Sequence, residues 1–146
     1  MTDQTTAIAT DAARDDATIF VCITCCASTE SLVEPPTGVR LAAAALEAAH
    51  GTGIAVQPVR CLANCTRGPS AAIRCSHSWT YVFGSLDVGC AGALVEGARL
   101  LARAKDGLLP WRGRPEPLKR GLIARVPPLD FQELEVPLLL ARETVE

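Results

Sequence analysis

No stretch of this sequence approaches the roughly 18 consecutive apolar residues of a membrane-spanning helix. The opening "MTDQTTAIATDAARDDATIF" has four aspartates, one arginine and no long apolar segment, so it lacks the make-up of a secretory signal. An excess of one charge is also missing: 14 Lys and Arg face 16 Asp and Glu, a net charge of −2 that gives no global pull towards nucleic acid or a membrane. Aromatic residues are few, with one Tyr, two Trp and three Phe, and much of the apolar content is alanine. There are no internal repeats. A Ser–His–Asp order, a phosphate loop and a paired-carboxylate site are all absent, which argues against a hydrolytic enzyme. These absences set the expectation of a cytoplasmic protein that engages neither nucleic acid nor membrane.

Cysteine is what the sequence has in quantity: seven in 146 residues. A chain this long buries a core without needing covalent staples. In a reducing compartment an odd set of seven is not expected to be a disulfide framework, so metal binding or redox chemistry leads.

The chain divides by composition. Residues 1–17 read as a polar, mobile tail. "TIFVCIT", 18–24, is β-branched and apolar, and predicts a buried strand ending at the cysteines. After a loop marked by Pro35 and Pro36, "GVRLAAAALEAAH" predicts a helix, with Thr37 as its cap and Val39, Ala42, Leu46 and Ala49 on its inner face. "IAVQPVRCL" predicts a second strand, again running into a cysteine. "SAAIRCS" and "WTYVFGSL" predict an antiparallel pair joined near His77, and "CAGALVEGARLLARAKDG" a closing helix with Leu94, Ala98 and Leu101 inward. The fold class is therefore α/β, a thioredoxin-like β-α-β-loop-β-β-α arrangement over 18–105, whose first strand–helix–strand is a right-handed parallel unit. Residues 106–146 hold six prolines and predict an extension with short helical pieces, packed on the core by Trp111, Leu118, Leu122, Ile123 and Phe131.

Parallel pairing of the first two strands brings both cysteine groups to one carboxyl end of the sheet, where open α/β sheets place their sites. Cys22 with Cys25 makes C-x-x-C; Cys22 with Cys26, and Cys61 with Cys65, make C-x-x-x-C. Four thiolates from two loops are what a structural zinc or an all-cysteine iron–sulfur cluster requires, and a [2Fe–2S] core takes two on each iron. A buried free cysteine is a common core residue. That plain reading suits Cys75, in a short strand, and Cys90, at a helix start, better than the paired set. His50 suits a helix C-terminus and His77 a surface turn. Trp79, Tyr81 and Phe83 alternate as one strand face.

"CLANCTRGPSAAI" resembles the second cysteine loop of thioredoxin-like [2Fe–2S] ferredoxins and of the small iron–sulfur subunit of respiratory NADH dehydrogenase. That loop reads C-L-G-x-C-x-x-x-P; Cys61, Leu62, Cys65 and Pro69 match, and Ala63 replaces the glycine. Over nearly the whole chain, "CITC", "CLANCTR", "TYVFGSLD" and "PWRGRPEPLKRG" resemble a family described as predicted metal-binding proteins and associated with cobalamin-synthesis genes. Many of that family have a further cysteine where this chain has Pro69, and this chain has the additional Cys26. The resemblances imply a [2Fe–2S] cluster on Cys22, Cys25, Cys61 and Cys65, with Cys26 as the substitute for Cys25, and with Arg67 and the Gly68 amide tuning its charge.

The leading functional expectation is a small ferredoxin-like electron carrier serving cobalamin or related metal-cofactor metabolism. The second is a zinc- or cobalt-binding metallochaperone or structural module using the same thiolates, since soft ligands do not by themselves separate zinc from iron–sulfur. The third is a thiol–disulfide oxidoreductase. Against it, the first motif is followed by a proline-containing loop and not by a helix N-terminus that would lower a thiol pKa. The expected partner is a redox protein docking on the basic 112–125 segment, where Arg112, Arg114, Lys119, Arg120 and Arg125 face one glutamate. A homodimer is compatible with the sequence.

Overall fold

The computed structural model describes residues 17–24 and 35–132. Strand β1 (Thr18–Cys22) leads to helix α1 (Thr37–Ala48) and strand β2 (Ala55–Val59). Strands β3 (Ala71–Arg74) and β4 (Thr80–Phe83) form a hairpin, followed by a 3-10 turn (Val88–Cys90) and helix α2 (Ala91–Arg103). A short helix α3 (Glu116–Arg120) and strand β5 (Leu122–Val126) complete the described chain.

The sheet runs β2-β1-β3-β4-β5, with β1 and β2 parallel and the remaining pairs antiparallel. This is the α/β class and the thioredoxin-like element order expected from the sequence. Pro58 lies in β2 at one edge, where a residue that cannot donate to the ladder is tolerated. The alternation along β1 is explicit. Ile19 and Val21 join the hydrophobic core, together with Ile73 of β3 and Tyr81 and Phe83 of β4. Leu41, Ala42 and Ala45 of α1 and Leu94, Ala98 and Leu101 of α2 cover that same face. The result is two layers.

The inner stripe of α1 is not the expected one. Leu41 and Ala45 are buried, whereas Leu46 is 50% exposed and Val39 only half-buried. Ala42 and Ala49 are buried as expected. In a run of "LAAAALEAA" the apolar positions nearly encircle the helix, so periodicity barely distinguishes neighbouring faces. Thr37 is not the cap either. It is the first helical residue and is buried, while Pro36 holds the cap position without a side-chain bond.

Residues after Lys105 contribute to the same core. The Leu109 N–H donates to the buried Tyr81 hydroxyl at 2.9 Å. The guanidinium of Arg114 is buried but donates to the carbonyls of Leu109 at 2.6 Å and Pro110 at 3.1 Å, which satisfies the charge and pins the loop. Leu118 is fully buried against α2, where Gly97 makes room for it; a Cβ at position 97 would stand 2.4 Å from Leu118 Cδ1. Strand β5 adds an edge that the sequence pattern, interrupted by prolines, did not announce. Of the residues expected to anchor this segment, Leu118 is buried and Leu122 and Ile123 are half-buried, but Trp111 and Phe131 are exposed. Trp111 instead lies beneath the cations of Arg114 and Lys119, and Phe131 edges onto Trp79. Residues 133–146, the rest of the expected extension, lie outside the described residues, as do 1–16 of the expected tail.

Replacing Leu118 with alanine removes a fully buried side chain and should cost roughly 2 to 5 kcal/mol in chemical denaturation. Adding Gly97→Ala to that variant places a methyl in the vacated space. It should recover part of the loss, whereas unchanged or greater destabilisation in the double variant would contradict this packing.

Candidate functional site

The site begins with strand register. Cys22, the last residue of β1, pairs with Val59, the last of β2. The chain then crosses between strands: the Ile23 N–H donates to the Val59 carbonyl at 2.9 Å, and the Cys22 N–H to the Ser70 carbonyl at 3.0 Å. Two residues past Val59 lies Cys61, so the parallel pair delivers both cysteine segments to one end of the sheet, as the topology required.

The loop from Arg60 to Ser70 is held at several points. Asn64 Nδ2 donates to Ser70 Oγ at 2.8 Å, and the Arg67 N–H to the Asn64 carbonyl at 3.1 Å, closing the 3-10 turn Cys65–Arg67. The Ser85 and Leu86 N–H groups donate to the carbonyls of Arg67 and Pro69, tying the loop to the end of β4. The Gly68–Pro69 peptide is cis. Gly84 is where these segments pass closest. A Cβ there would lie 2.6 Å from Asn64 Nδ2 and 2.8 Å from the Arg67 carbonyl oxygen. Gly121 in turn packs against Gly84, whose N–H donates to the Gly121 carbonyl at 2.8 Å.

The thiols differ in environment. Cys22 is fully buried yet stands outside the apolar core cluster; its Sγ lies 3.8 Å from the Arg60 carbonyl and 3.6 Å from Thr24 Oγ1. Thr24 Oγ1 also donates to the Arg60 carbonyl. Cys61 and Cys65 are exposed, and the Ala63 N–H donates to Cys61 Sγ at 3.2 Å. Cys61, by hydrogen bond and then by charge, raises the Cys65 thiol above its ordinary value; Cys22 adds a smaller push by charge. Both Cys61 and Cys22 therefore lie near enough to act on Cys65. Cys75 and Cys90, by contrast, belong to the hydrophobic core, and burial first raises the Cys90 thiol. Cys25 and Cys26 lie outside the described residues. Among the described residues, no group of three or more His, Cys, Asp or Glu could hold a metal ion.

Sequence reasoning named the cysteines but missed their supports: Thr24, Asn64, Ser70 and Gly84. Only Gly84 carries a sequence signal, a glycine directly after an aromatic strand. His77 lies at the other end of the molecule, at a turn, with Nδ1 2.9 Å from Asp130 Oδ2. Arg67 is exposed and Gly68 half-buried beside the thiols.

The two-layer fold, with Cys22 at the carboxyl end of β1 and Cys61 two residues past that of β2, defines an α/β protein with a thiol-bearing loop site. The chain belongs to the family described as "Protein of unknown function (DUF1636)", whose model matches residues 19–128. Comparison with solved structures finds the wild-type thioredoxin-like [2Fe–2S] ferredoxin from Aquifex aeolicus at 16% identity and a TM-score of 0.49, over 75% of this chain and 97% of that one. A second structure of a thioredoxin-like [2Fe–2S] ferredoxin from Aquifex aeolicus matches at 17% identity and 0.49, over 80% and 98%. No curated protein matches the chain. Among the described residues no helix is long and apolar enough to cross a membrane.

Ala63 has φ of +62°, in the left-handed region where a Cβ is strained, at the position the ferredoxin loop pattern gives to glycine. Ala63→Gly should therefore stabilise the protein by up to about 1 kcal/mol, the relief of strain exceeding the entropy glycine adds to the unfolded chain. Ala63→Val should destabilise it. Thermal melts of the two variants moving in the same direction would refute this account of the loop.

Proposed function

We propose that the protein is a small [2Fe–2S] electron carrier whose cluster is held by Cys22, Cys61, Cys65 and one cysteine of the 25–26 pair. The observation that carries this reading is the gathering of Cys22, Cys61 and Cys65 at one sheet end, where Cys61 and, more weakly, Cys22 raise the Cys65 thiol. The donor chemistry suits the group, since all-cysteine ligation from two loops offers two thiolates to each iron. When bound, the cluster would supply one-electron chemistry that no side chain here provides.

The chain's own residues account for the rest. Cys22, buried at a strand end, is a rigid ligand whose position the sheet sets. Cys61 and Cys65 lie at the surface, so whatever they bind is within reach of a partner. Asn64, Ser70 and the Ser85 and Leu86 amides hold the loop's shape. Arg67 and the Gly68 backbone stand beside the thiols, where positive charge and N–H dipoles ease the accumulation of negative charge. The setting we infer from the family resemblance is cytoplasmic cobalamin or related metal-cofactor metabolism.

Protein purified anaerobically, or reconstituted with iron and sulfide, should show the visible absorption of a [2Fe–2S] centre. Cys61→Ser and Cys65→Ser should bleach or strongly perturb those bands, while Cys75→Ser and Cys90→Ser should leave them intact. Colourless protein holding stoichiometric zinc or cobalt, and refusing iron and sulfide, would transfer the site to the metallochaperone or structural-metal reading. Catalysis of disulfide exchange by metal-free protein would transfer it to the oxidoreductase reading.

A further inference from the structure

Charge is unevenly distributed along this chain. Twelve of its 14 Lys and Arg, but only six of its 16 Asp and Glu, fall in residues 17–24 and 35–132. The net charge of −2 thus conceals a strongly cationic body. Part of that excess sits around the thiols. Arg60 and Arg67 flank the exposed Cys61 and Cys65, and both are exposed themselves. The Arg67 carbonyl accepts from the Ser85 N–H, and Ser85 shares a small cavity of about 260 Å³ with Arg120. Arg120 is followed by Gly121, which packs on Gly84 against the same loop. The cationic rim therefore passes from the thiol loop to α3. There Lys119 Nζ lies 4.8 Å from the centre of the Trp111 ring, which is 62% exposed. Among the described residues, the carboxylates along this strip are Asp87, which accepts from the Cys90 thiol at 3.5 Å, and Glu116, which is 3.6 Å from Arg120.

We propose that this strip, from Arg60 and Arg67 through Arg120 and Lys119 to Trp111, is the docking surface for a redox protein with a carboxylate-rich face. The proposal rests on the electron-carrier reading for the partner's redox character; the surface itself rests on charge and exposure. Complementary charge selects an acidic occupant and speeds encounter. An exposed tryptophan ringed by cations is the kind of aromatic and arginine-rich anchor that carries binding energy at interfaces. Two of the cations adjoin the thiols, so an acidic partner seated on the strip would lie directly over them.

The test is calorimetric titration of the full chain with an acidic flavodoxin. Binding should weaken by about tenfold or more between low salt and about 0.2 M salt, where exposed charges are largely screened. The double variant Arg67→Glu, Arg120→Glu should weaken it about tenfold at low salt. The variant Arg103→Glu, Lys105→Glu makes the same charge change on exposed residues at and just after the end of α2, and should leave binding nearly unchanged. Equal losses in the two variants would mean that only net charge matters and would overturn the proposal. So would tighter binding of an RNA duplex through the same residues. Binding that appears only after Asp11, Asp15 and Asp16 are replaced by asparagine would also overturn it, by assigning the strip to the chain's own acidic segment. If the cluster never assembles but flavodoxin still binds the strip, the docking surface stands and the electron-carrier reading falls. If the cluster assembles and the strip variants bind like the parent, the docking proposal alone falls.

Discussion

The pairing of β1 with β2 is the constraint on which the site depends. Because the two strands are parallel and Cys22 opposes Val59, the segments leaving them emerge at the same end, and Cys22 meets a loop that begins 38 positions later at Arg60. An antiparallel pair would have sent the two cysteine groups to opposite ends. Parallel pairing in turn requires a crossover, and α1 supplies it. Its alanine-rich inner face sets it closely against the sheet and α2, so the register is backed by the main hydrophobic core. A one-residue slip of β1 would turn Ile19 and Val21 out of that core and reverse Cys22, at a cost far above the energy of any single loop contact.

Beyond the strands, the thiol loop depends on places where side chains would not fit. Gly84 admits Asn64 and the Arg67 carbonyl, and Gly121 admits the Gly84 carbonyl. The C-terminal segment thus acts as a brace, with Leu118 fixed in the core and Gly121 behind the turn that receives the Ser85–Arg67 hydrogen bond. The carbonyl groups at Gly84 and Arg67 cannot swing aside as a flexible side chain does, so this seam is stiff. Stiffness would suit the proposed ligand role, because the backbone that carries each thiol is then fixed.

Much of this was legible in the sequence because it is written in strong signals. β-branched runs ending in cysteine gave the first strand and its polarity, and alternation of Trp79, Tyr81 and Phe83 gave the hairpin. Where residue types are weakly distinguishing, the reading slipped. Alanine on every side of α1 hid the choice between Leu46 and Leu41 as the inner leucine. Trp111 looked like a core anchor by size, but it stays exposed, with the cations of Arg114 and Lys119, which lie outside any hydrophobic pattern, beside its ring. Strand β5 was obscured because the prolines on either side of it suggested irregular chain. The supports Thr24, Asn64 and Ser70 are ordinary loop residues; only their partners, fixed by the fold, single them out.

The cysteines themselves show why direction of perturbation is less informative than its cause. Both Cys65 and Cys90 have thiols pushed up from the ordinary value. For Cys90 the first cause is burial, with Asp87 as its polar partner, which is what a core thiol at a helix start experiences. For Cys65, exposed at the surface, the first causes are the neighbouring Cys61 and, further down, Cys22. A thiol that resists ionising because other thiols are near, as Cys65 does, is a group that folding has set close to them against its electrostatic preference. Core packing cannot explain that crowding at Cys61 and Cys65, since neither is buried. Were a cation bound there, its attraction would offset that repulsion, and the thiols would give up their protons as it entered. The cause of the shift, not its direction, separates Cys65 from Cys90.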